Sequence, residues 1–81
     1  MLKTMNEVQS AIIGQIDACE AAGIDTKSPA AKAWYAKDAK TLKLMKLFHL
    51  YNHAKEEALS HGYIGVGCIT YAENKLQAAQ V

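Results

Sequence analysis

The chain has no arginine, one proline, one tryptophan, two cysteines and no long apolar run. Each shortage removes a class of function. Without arginine there is no guanidinium fork to clamp a dicarboxylate or a phosphate, and none to pair with guanine. Small helical enzymes built on such clamps, and base-specific DNA readers, are disfavoured. Cys19 and Cys68 lie far apart among apolar or small neighbours, so they read as reduced thiols rather than a disulfide framework. No stretch approaches the roughly 18 apolar residues that span a bilayer. The opening "MLKTMNEVQS" lacks the apolar centre of a secretory signal. These features predict a soluble cytoplasmic chain with no membrane partner.

Motifs for chemistry are missing too. No Glu follows His49, so the metalloprotease pattern H-E-x-x-H is absent. "GYIGVG" precedes a helix but matches neither phosphate-binding glycine pattern, and its glycines read as backbone devices. Cys68 and a histidine make a nucleophile pair in principle, yet nothing in the sequence supplies an orienting group or an oxyanion hole. No D-S-L sequence marks an acyl carrier protein. The expectation is a non-enzyme without a cofactor.

What is present is helical. The 81 residues are 51% hydrophobic and 21% charged, with a formal net charge of +1, a globular profile for one domain over residues 1–81. A chain this short buries only about 60–65% of its unfolded surface, so a partner chain or a second copy would help stability. "TMNE" places Thr4 as an N-cap with Glu7 three residues on, a capping box. Met5, Val8, Ile12, Ile16 and Cys19 then share one face, and Gly23 supplies a left-handed stop. Ser28 and Pro29 start the next helix. From Ala30 to His61 there is no glycine or proline, and Gly62 ends the run.

The apolar side of the later part (Leu44, Leu47, Phe48, Tyr51, Ala54, Ala58), projected backwards, meets Lys37 and Lys40 instead of Trp34 and Tyr35. That phase slip favours a break near Asp38 to Thr41 over one long kinked rod. Thr70 and Glu73 read as a second capping box, opening a short helix with Ala72, Leu76 and Ala79 as its stripe. Ile64, Val66 and Ile69 before it are expected to plug the end of the bundle or to form a brief extended segment. The fold class is all-α: a bundle of three to four helices at about 5–22, 29–38, 41–61 and 70–80.

Three surface features bear on function. Leu42, Met45 and Leu50 lie on or beside the polar side of the third helix, with His49 in the same strip. Scattered surface apolars are ordinary, but two other helices cover little more than one side, so a second packing face is the sharper reading. Trp34 and Tyr35 point the same way as interface anchors. Next, Lys37, Lys40, Lys43 and Lys46 recur every third residue and wrap the helix, a patch for phosphates or for an acidic protein surface. Lastly, His49, His53 and Glu57 follow at one-turn intervals, two or three corners of a metal site against the plainer reading of a solvated face.

The resulting expectation is a small interaction protein that self-associates as a homo-oligomer and docks on a protein partner to modulate or inhibit it. Its anchors are Trp34, Tyr35, Leu42, Met45, His49 and Leu50, steered by the four lysines. Phage- or mobile-element-encoded inhibitors of host machinery offer an analogy of size and fold class only. Two alternatives stand beside it: a nucleic-acid-associated protein using the lysines without reading sequence, and a metal- or ligand-binding bundle.

Overall fold

The computed structural model describes Met1–Val81 as four helices without a strand: α1 (Met5–Ala21), α2 (Pro29–Lys37), α3 (Ala39–Ser60) and α4 (Val66–Ala78). Local chemistry sets most of their ends. The Thr4 hydroxyl accepts from the Glu7 amide at 3.2 Å. The Glu7 carboxylate reaches back one residue further than a reciprocal box requires, accepting from the Lys3 amide at 2.7 Å. At the far end Gly23 has φ 81°, with Ile24 N–H donating to the Cys19 carbonyl and Gly23 N–H to that of Glu20, a Schellman closure. Gly62 (φ 88°) ends α3 in the same way, with Tyr63 N–H on the Ala58 carbonyl. Ser28 caps α2 by its extended backbone alone, because its hydroxyl donates instead to the Asp25 carbonyl at 2.6 Å.

The break between α2 and α3 falls on Asp38, and the unbroken middle rod does not form. One residue closes one helix and opens the next. The Asp38 amide bonds to the Trp34 carbonyl at 3.1 Å, its ψ of 112° turns the chain, and its carboxylate accepts from the Thr41 amide (2.9 Å) and hydroxyl (2.7 Å). The first helical residue of α3 is therefore Ala39, two positions earlier than expected.

The fourth helix differs more. It starts at Val66, not at residue 70, and Thr70 is an exposed residue inside it, so the second capping box does not form. Gly62 and Gly65, both with positive φ, reverse the chain so tightly that α4 begins at once. That early start brings Cys68 into line with Ala72 and Leu76 as one buried stripe at four-residue spacing. Cys68 fills the place expected of Ile64, Val66 and Ile69. Ile64 (81% exposed) and Val66 (76%) point into solvent, and Ile69 is exposed too. They plug nothing. Ala79, expected in the stripe, is the exposed C-cap.

α3 is the spine. α4 packs along it most extensively, α1 next, and α2 lies across its start. Val8, Leu47, Tyr51, Ala54, Ala72 and Leu76 form the core where α1, α3 and α4 meet. α1 runs antiparallel to α3: Val8 sits among Leu47 and Tyr51, whereas Gln15 stands 3.4 Å from Thr41 at the spine's start. Gln15 is buried and Ile16 is half out, the reverse of the expected order, because Thr41 offers the amide a polar neighbour inside. Gln80 then clasps the two ends of the chain, accepting from the Leu2 amide (2.9 Å) and donating to the Leu2 carbonyl (2.7 Å). The product measures 46 × 22 × 17 Å. Its radius of gyration is 14.7 Å against roughly 12 Å for a compact chain of this length. Only 13 of 81 residues are buried, so the core is thin.

Candidate functional site

Two surfaces and one tip remain uncovered by this packing. The first is a groove between α1 and α3. It consists of two confluent depressions of about 340 and 450 Å3 that share Ile12 and Met45. Ile13 and Phe48 line one, Ile16 and Tyr35 the other. Ile13 is 58% exposed and Ile16 37%, although no isoleucine is buried in the core. The groove forms because α1 and α3 are antiparallel. In an antiparallel pair, the residue one place after each core position falls on the same side of both helices.

The anchors read from the sequence separate in the structure. Met45 and Tyr35 come together in the groove. Trp34 is half-buried and meets the Tyr35 ring edge-on, centroids 5.4 Å apart. Burial pushes the Tyr35 phenol above its usual range, with the Cys19 thiol and the Glu20 carboxylate adding to the effect. Leu42 and His49 stay exposed outside the groove. Leu50 turns towards α4, beside His53, Glu57 and Lys75. The groove's α1 wall was half visible in the sequence, since Ile13 lies off the main stripe.

The opposite side of the α1–α3 pair is basic. Lys40 and Lys43 line a shallow cleft of about 580 Å3 with Leu2, Leu44, Leu47 and Gln80. Lys37 and Lys46 are exposed as well, Lys37 in the last turn of α2 where the helix dipole favours a cation. The ion pairs in the molecule are both His–Glu contacts, so none of these lysines is held by a carboxylate. Their charge is free to meet an anion.

The histidine strip does not converge. His53 Nδ1 stands 3.9 Å from Glu56 and His61 Nε2 stands 4.0 Å from Glu57, all in open solvent, where such pairs are worth little. No three His, Cys, Asp or Glu side chains gather as metal ligands. Cys68 is buried with its thiol on the Tyr63 carbonyl at 3.1 Å, turned away from any incoming substrate. No helix is long and apolar enough to cross a membrane.

The apolar tip is what sequence reasoning missed. Leu59, Tyr63, Ile64, Val66 and Ile69 are all exposed around the α3–α4 turn. A hidden apolar run and an exposed one look alike in sequence. The signal available was the pair of flanking glycines, which makes the turn too tight to fold back over the core.

Comparison with protein-family models, curated proteins and solved structures returns no match. The functional reading rests on the surfaces.

Proposed function

We propose that this chain is a non-enzymatic interaction protein that associates with itself and docks on another macromolecule, modulating or blocking it. The observation that carries the reading is the area left uncovered. The chain exposes 5514 Å2, whereas a compact monomer of 8.8 kDa exposes about 4,800 Å2. The excess, roughly 700 Å2, approaches the about 800 Å2 that each partner contributes to a standard interface. Exposed large apolar side chains gather in the groove and at the tip. The four lysines steer an acidic partner without adding much affinity.

Light scattering on wild type and on a Leu42→Glu, Met45→Glu variant tests the reading. Wild type is expected above the mass of one chain, and the variant below wild type while still folded. A chain that stays monomeric at every concentration would remove self-association from the proposal.

The unpaired lysines favour one further reading, a nucleic-acid-associated protein that holds phosphates without reading bases. It predicts duplex binding whose affinity falls steeply with salt and is lost in Lys40→Glu, Lys43→Glu. Salt-independent binding, or none, would dismiss it.

A further inference from the structure

We propose that a second copy of this chain covers the α1–α3 groove, so that two helix pairs close into a four-helix bundle about a two-fold axis. The proposal rests on the interaction reading above and supplies its first partner and the face that takes it.

The residue spacing supports it. On α1, Gln9, Ile13, Ile16 and Glu20 are separated by four, three and four positions. On α3, Thr41, Met45, Phe48 and Asn52 repeat the same intervals. Steps alternating between three and four residues keep one seam of a helix turned towards a neighbour along a bundle. Apart from Thr41, which is itself buried against Gln15, each residue of these series lies one place beyond an inner seam already used: Val8, Ile12, Gln15 and Cys19 on α1, and Leu44, Leu47 and Tyr51 on α3. The helices therefore carry two adjoining seams, one filled within the chain and one partly open, with Ile13 and Ile16 exposed and Met45 and Phe48 half-buried. In the open seam the two middle positions of each helix are apolar and the exposed outer ones, Gln9, Glu20 and Asn52, are polar, which gives the contact a centre and a rim.

Area and charge select this face over the other two. A side-by-side pairing runs along the 46 Å axis and has room for the about 800 Å2 per partner of a standard interface, which a tip-to-tip contact across a 22 × 17 Å end does not. The opposite cleft would set Lys40 and Lys43 of one copy against those of the other. No charged side chain lines the groove, and Glu20 stands only at the end of the seam, so two copies meet there with no like charges at the centre. The arrangement leaves both tips and both lysine faces free.

Sedimentation equilibrium over a concentration series tests it, with circular dichroism as the check on folding. The samples are wild type, Ile13→Glu with Met45→Glu, Ile64→Ser with Val66→Ser, and Gln9→Leu with Asn52→Leu. Wild type should approach twice 8.8 kDa. The glutamate variant should be a helical monomer, the serine variant should keep wild-type association, and the leucine variant should associate roughly tenfold more tightly, because it lengthens the apolar seam. If the glutamates unfold the chain, the leucine variant decides alone, and unchanged or weaker association overturns the proposal. Association that survives the glutamates but is lost with the tip serines overturns the groove assignment while leaving the interaction reading standing. A monomeric wild type overturns the proposal and withdraws self-association as well.

Discussion

Thr4 and Asp38 do one job with different chemistry, and their variants should differ accordingly. Each satisfies an amide at a helix start, Thr4 with a hydroxyl and Asp38 with a carboxylate. Thr4→Ala should cost about 1 kcal/mol and lower the melting temperature by about 4–8 °C, independent of pH. A thermal scan at two pH values reads both parts. Asp38 has a titration of its own. Bonds from the Thr41 hydroxyl and then the Thr41 amide hold its carboxyl below the ordinary value of 3.8, with Lys40 adding a smaller pull. The folded chain thus binds that proton less readily than the unfolded one. Asp38's contribution is present above pH 3.8 and is lost as pH falls through the lowered value. In acid titrations followed by circular dichroism, Asp38→Asn should be less stable than wild type near neutrality, and the two curves should converge towards pH 2. A gap of constant size would show that the carboxylate charge is irrelevant to the cap.

Among the elements, the ones legible in the sequence were those whose stop or start signal is a backbone requirement. Gly23 and Gly62 end helices because their positions demand positive φ, and the phase slip around Lys37 and Lys40 confined the break to Asp38 to Thr41, at whose first residue it falls. α4 was misplaced for the opposite reason. Thr70 and Glu73 imitate a capping box, whereas the true start at Gly65 makes no side-chain cap bond at all. Tertiary packing of Ala72 and Leu76 with Leu47, Tyr51 and Ala54 of α3 stabilises α4 in spite of that weak start. Two consequences can be measured. Gly65→Ala forces a side chain into φ 57° and should destabilise by about 1 kcal/mol or more, although a Cβ there meets no neighbouring atom. Leu76→Ala should cost about 2–5 kcal/mol, enough in so thin a core to leave α4 frayed, which hydrogen exchange on Cys68 to Leu76 would register. Full protection in that variant would mean α4 is held by something other than its stripe. Of the candidate site, the sequence showed apolar residues in excess of what the core needs. It did not show which of them share a face, because that depends on α1 lying antiparallel to α3.

At the scale of the molecule, α3 touches each of the other helices, and the stability of a chain this elongated is tied to what lies along its flank. If two copies share the groove, folding and association are linked, and the melting temperature should rise by roughly 3–5 °C for each tenfold increase in concentration. Calorimetry between about 10 µM and 1 mM would see it. A melting temperature independent of concentration would place folding wholly within one chain.

The Leu2–Gln80 clasp has a mechanical corollary. Leu2 and Gln80 sit beside Leu44 and Leu47 on the lysine side. A tag or a fused domain joined before Met1 or after Val81 would leave beside that cleft. It would shade Lys40 and Lys43 while the tip and the α1–α3 groove stayed clear, so the ends are poor attachment points for probing the basic face and good ones for presenting the other two.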